Sequence, residues 1–123
     1  MMRGDVEAMT VPELVERFTS IALEQHEALL KDEIAKFTEL YRQMDIVRNE
    51  LKSRPGDQRK ALLPLYDHPN MQVRLKAAVT TLAVAPEPAR RMLQWIANTR
   101  RMPQAGDAGM LLSGLDDGSF VPS

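Results

Sequence analysis

Residues 32–52 read DEIAKFTELYRQMDIVRNELK, and the spacing of their apolar members decides the fold class. Phe37, Leu40, Tyr41, Met44, Val47 and Leu51 recur every three or four positions, the period of one face of an α-helix. Lys36, Glu39, Arg42 and Glu50 lie off that stripe. The pattern predicts a helix over about 33–52 with Asp32 as its N-cap. Ser53-Arg54-Pro55-Gly56 ends it, because proline cannot continue a helix and glycine tolerates the positive φ of a turn. Upstream, Thr10-Val11-Pro12-Glu13 has the form of a capping box with proline in the first turn. Leu14, Phe18 and Ile21 follow on one stripe, with Val15, Ala22 and Leu29 beside it, so a first helix covers about 11–29. The break between the two helices admits a hairpin or one bent helix. Each apolar stripe needs a partner, and packing on each other is the simplest solution. Residues 1–9 show no periodicity and read as a tail, leaving 10–123 as a single domain.

Downstream, Asp57 can cap a shorter helix over 58–66, with Leu62, Leu63 and Leu65 facing inward. Pro64 inside it removes one backbone bond and predicts a kink or a short helix. Asp67-His68-Pro69-Asn70 is a turn cluster whose asparagine can cap the next helix, about 71–84, with Val73, Ala77, Ala78, Leu82 and Val84 on its apolar face. Pro88 suits the first turn of a fifth helix carrying Ala89, Met92, Leu93, Ile96 and Ala97, with Trp95 at the core edge. Pro103 closes it. A last short helix over 105–113 is weakened by Gly106 and Gly109, each costing about 1 kcal/mol relative to alanine. Phe120 and Val121 can dock the tail. No segment alternates with period two, so the fold class is all-α with five to six helices.

The 123 residues are 44% hydrophobic and 27% charged, as in an ordinary globular chain, and the length suits one domain. The absence of cysteine removes disulfides, thiolate metal sites and cysteine nucleophiles. No apolar run approaches the roughly 20 residues of a membrane span, and the start lacks a secretory pattern. These features place the protein in the cytoplasm. The net charge of −1 conceals segregation. Residues 1–51 carry −5, residues 52–101 carry +7, and residues 102–123 carry −3. Acidic and basic helices packed side by side explain this pattern, and so does a basic face offered to an acidic partner or to nucleic acid.

Leu62-Leu63-Pro64-Leu65, Asp67, Val73-Arg74, Ala77-Ala78 and Leu82 together resemble a HEAT-type repeat. In such repeats proline marks the first helix and an aspartate–arginine pair lies near the turn; Asp67 and Arg74 match that pair. The resemblance implies an α-α superhelix of HEAT/armadillo-like type. A shift of 33 residues loses the arginine, because Arg74 falls on Asp107. Over roughly residues 10–123 the chain also resembles a small bacterial family, domain of unknown function number two thousand and nineteen. The matching stretches are Pro12–Phe18, Ala61–Leu65 with His68–Asn70, Val73–Ala78 and Pro103–Met110. That resemblance implies the armadillo-like fold and carries no catalytic residues.

Candidate chemistry is sparse. Position 30 is leucine, so His26-Glu27 does not open a zinc-protease motif, and we assign no metal, no cofactor and no catalytic residue. Asp67-His68 could do acid–base work only in a shared cleft; closing a turn is the ordinary role of such a pair. Ala105–Gly109 lacks the spacing of a phosphate loop, and Asp116-Asp117 lacks that of a calcium loop. Arg59, Lys60, Arg74, Lys76, Arg90, Arg91, Arg100 and Arg101 could form a nucleic-acid-binding surface, although Trp95 and Tyr66 are too few for stacking along a strand. The expected function is a non-enzymatic module presenting a helical surface to a protein partner, with an immunity-type protein that masks a toxin as its narrower form. The alternative is nucleic-acid binding through the basic 52–101 segment. Unpaired superhelix ends would also admit a homodimer.

Overall fold

The structure, a computed structural model, describes residues 3–123. Those residues form seven helical segments and no strand: α1 (Arg3–Glu7), α2 (Val11–Leu30), α3 (Ile34–Ser53), a 3-10 segment (Gln58–Asp67), α4 (Met71–Thr81), α5 (Pro86–Thr99) and α6 (Gln104–Asp117). The chain divides into two compact units that meet in sequence at Leu62 and Leu63.

In the first unit α2 and α3 form a hairpin. The capping box at Thr10 forms in both directions: Glu13 N–H donates to Thr10 Oγ1, and Thr10 N–H donates to a Glu13 carboxylate oxygen. Leu14, Phe18 and Ile21 from α2, and Val47 and Leu51 from α3, are fully buried. Each such side chain contributes about 1.5–3 kcal/mol of burial. Asp32 does not cap α3. It stands at φ 55° two residues beyond the end of α2, just after the C-cap Lys31, where Glu33 N–H donates to the Ala28 carbonyl and Asp32 N–H to that of Leu29. This is a Schellman closure of α2, and Glu33 precedes α3 with no side-chain cap.

Residues 3–9 do not trail as a tail. Val6 of α1 is fully buried, and α1 packs on α3. Arg54 clamps the segment: its Nη2 donates to the carbonyls of Val6 (3.2 Å) and Met9 (2.7 Å), while its Nε pairs with Glu50. A helix with one buried apolar residue has no visible period. Met1 and Met2, counted in that tail, lie outside the described residues.

In the second unit α5 packs between α4 and α6. Leu75, Ala78, Leu82, Ala89, Leu93, Ile96, Ala108 and Leu112 form its core. Asn70 caps α4, its Oδ1 accepting from the N–H groups of Gln72 (2.9 Å) and Val73 (3.2 Å). Pro64 sits within a segment that is 3-10 throughout. Helix α5 begins at Pro86, with Pro88 in its first turn. Helix α6 runs to Asp117, past the expected end, and closes on Gly118 at φ 79°. The glycine that matters for packing is Gly114. A Cβ there would lie 3.0 Å from Phe120 Cβ, and the Phe120 N–H donates to the Gly114 carbonyl. Phe120 therefore docks on the core, and Val121 stays exposed.

Candidate functional site

The eight basic residues singled out by the sequence have different fates. The Arg59 guanidinium is buried and forked onto Asp57, with Nε–Oδ1 2.9 Å and Nη2–Oδ2 2.7 Å. That hydrogen-bonded pair holds the Asp57 carboxyl below its ordinary pKa. Arg90 pairs with Asp116 on α6. Lys76 is half-buried; burial pushes its pKa down, and the charge of Asp107 opposes that push. Arg74 donates from Nε to the His68 carbonyl, 2.5 Å, and its guanidinium lies 4.8 Å from the centroid of the Trp95 ring. Lys60, Arg91, Arg100 and Arg101 are exposed, with no ion pair among the described residues. Half of the expected surface is thus committed to internal contacts or partly withdrawn from solvent. Arg54 with Glu50 and Arg59 with Asp57 pair with local acids, and the Arg90–Asp116 pair joins α5 to α6.

The 67–70 turn is built by its own side chains. His68 Nδ1 accepts the Asn70 N–H at 3.0 Å, which places the ring hydrogen of a neutral His68 on Nε2. Asn70 caps α4, and Arg74 bonds the His68 carbonyl. Asp67 is exposed and makes no ion pair with Arg74, so the repeat-like aspartate–arginine pair does not form. His26 lies on α2, with a buried Nδ1 that has no hydrogen-bond partner among the described residues. Among the described residues no group of three or more His, Asp or Glu side chains is placed to hold a metal. No helix there is long and apolar enough to cross a membrane. Trp95, expected at the core edge, is 46% exposed.

The structure also exposes apolar residues near the hairpin turn: Leu30 and Ile34, which the periodicity left aside, and Leu29 and Tyr41, which it placed beside or on the apolar stripes. At the turn of the α2–α3 hairpin, Leu29, Ile34 and Phe37 line one open recess with Ala28, Asp32 and Glu33. Leu30 beside it is 69% exposed and Ile34 74%; Tyr41, one turn beyond Phe37, is 57% exposed. Large apolar side chains gathered at such exposure are uncommon on a self-sufficient surface. The cause is the Schellman closure, which turns the chain before α3 and leaves Leu30 and Ile34 on the outside. The available signal was apolar residues falling off the stripes: the second leucine of Leu29-Leu30, and Ile34 ahead of Phe37.

The family described as Domain of unknown function (DUF2019) matches residues 12–116. The crystal structure of the protein RPA1889 from Rhodopseudomonas palustris CGA009 is similar, at 51% sequence identity and a TM-score of 0.94. The likeness covers 96% of this chain and 98% of that one. No curated protein matches the sequence. With the family matched over most of its length, the chain belongs to Domain of unknown function (DUF2019).

Proposed function

We propose that this chain is a non-enzymatic protein-interaction module of the cytoplasm, built as a HEAT/armadillo-like α-α superhelix. One observation carries the reading: the exposed apolar side chains of Leu29, Leu30, Ile34 and Tyr41, with the half-buried Phe37, at the hairpin turn and the start of α3. Burying it against a partner would remove several large apolar surfaces from water at about 25 cal/mol per Å2. The charged rim of Lys31, Asp32, Glu33 and Lys36 is the polar border expected around such a core. The helical-repeat architecture draws support from the α4–α5–α6 packing and from the 2.5 Å bond between Tyr66 Oη and Thr81 Oγ1, which ties the end of the 3-10 segment to α4. Nucleic-acid binding has less to work with, since Arg59 and Arg90 are already paired with acids of the chain.

The test is quantitative affinity capture from a bacterial host with the wild-type chain and with the Leu30→Lys, Ile34→Asp double variant. Lysine at the end of α2 and aspartate at the start of α3 agree with the helix dipoles, so the variant should fold. A protein retained by the wild type and depleted at least tenfold by the variant supports the reading. Identical captured sets overturn it.

A further inference from the structure

Trp95 is the only tryptophan of the chain, and it projects from α5 half into solvent. The guanidinium of Arg74 lies over its ring. A second contact from a different element, the Arg74 Nε bond to the His68 carbonyl, fixes the plane of the group. The guanidinium is therefore held by an indole face and by a backbone carbonyl, and neither neutralises its charge. Its two terminal nitrogens have no partner among the described residues, and Asp67 in the adjoining turn leaves it alone. A half-buried, immobilised guanidinium with its outer edge open is a preorganised fork for an oxyanion. Arg91 stands one helical turn before Trp95 on the same face of α5. It too is exposed and without an acidic partner, although Glu87 lies one turn further back and Arg90 beside it has found Asp116. Gln94 and Asn98, bonded to each other at 3.0 Å, continue the face as neutral polar surface.

We propose that this face binds a carboxylate-rich segment of a protein partner. Arg74 takes one carboxylate through its two terminal nitrogens beside the indole, and Arg91 takes a second. The inference rests on the protein-interaction reading and adds a charged contact, in the second unit, to the apolar one at the hairpin. An acidic peptide fits better than a nucleic-acid strand. Strand binding needs successive aromatic platforms, and here one indole stands with a guanidinium already over it.

The experiment titrates the full chain at low salt with a blocked hexaglutamate peptide, and separately with a thymidine hexanucleotide, reading Trp95 fluorescence. The proposal expects a saturable change with hexaglutamate that is stronger than any with the nucleotide. Binding should weaken at least tenfold in Arg74→Gln and several-fold in Arg74→Lys, which keeps charge but loses the fork. It should weaken about threefold in Arg91→Gln, whose exposed position leaves folding untouched, and stay unchanged in Leu30→Lys, Ile34→Asp. Absence of a saturable response, tighter binding of the nucleotide, or full affinity in a folded Arg74→Gln or Arg91→Gln chain overturns it. If hexaglutamate fails while the hairpin variant still loses a captured partner, only this inference falls. If hexaglutamate binds as expected and the hairpin variant loses nothing, only the hairpin reading falls.

Discussion

Gln104 and Gln72 meet across the start of α6 and the start of α4, and the account predicts that they are energetically coupled. The Gln104 Nε2 donates to Gln72 Oε1 at 2.9 Å, with the two residues only 4% and 1% exposed. Gln104→Leu changes the side-chain volume little but strands a buried acceptor. An unsatisfied buried polar atom costs about 1–3 kcal/mol. Gln72 has a further contact, so the lower half of that range, about 1.5 kcal/mol, is the expectation. Replacing both residues by leucine removes the stranded atom, and the further contact of Gln72 is lost equally in its single variant and in the double, so the double-mutant cycle should leave a coupling of about 1 kcal/mol or more. Urea unfolding followed by Trp95 fluorescence reads the result, because the single tryptophan lies in the same unit as the pair. With a denaturant slope near 1.5 kcal/mol per molar, the single variant should lower the midpoint by roughly 1 M. If the two single changes add to the double within about 0.5 kcal/mol, the buried pair is not coupled and the reasoning is wrong.

Other outcomes follow from equally local features. Asn70→Ala removes both cap bonds at the start of α4 and should cost about 1 kcal/mol, while Asn70→Gly should cost only a few tenths; equal losses would contradict a capping role. Phe18→Ala empties a fully buried site in the α2–α3 hairpin and should cost about 3–5 kcal/mol, read as a fall in helical circular dichroism at lower urea. Asp32→Gly relieves a left-handed residue at the end of α2 and should raise stability by up to about 1 kcal/mol; a clear loss would show the side chain to be needed there. Burial lowers the folded-state pKa of Lys76, so the unfolded chain holds that proton more tightly. Stability owed to this group therefore rises with pH through the lowered value and levels off above about 10.5. Comparison of Lys76→Met with wild type from pH 7 to 11 should show the wild type gaining on the variant as pH rises, and a constant difference would refute the assignment.

The helices were legible because their causes are local. The Thr10–Glu13 box, the Asn70 cap and the stripes of Leu14, Phe18, Ile21, Val47 and Leu51 each act within a few residues, and the structure shows them as read. What escaped depends on distant parts of the chain. Asp32 carries the chemistry of an N-cap, but the hydrogen bonds from Asp32 and Glu33 back to α2 decide its place. Val6 gives no periodic signal and is buried because Arg54, 48 positions away, anchors its carbonyl. Gly106 and Gly109 read as weakness in the last helix, yet α6 runs on through Gly114, where Phe120 needs close approach. For the candidate sites, charge segregation pointed to the basic residues, but the pairing of Arg90 with Asp116, 26 positions away, is a tertiary fact. The position of Arg74 over Trp95 joins residues 21 apart on different helices, which no spacing rule connects.

The most direct test of the interaction reading is hydrogen–deuterium exchange on the full chain, alone and bound to the partner that the hairpin variant fails to capture. The account predicts slowed exchange concentrated in residues 28–41, the end of α2, the turn and the first turns of α3, where Leu30, Ile34 and Tyr41 are exposed in the free chain. Binding that leaves this segment unprotected and slows exchange only elsewhere would contradict it.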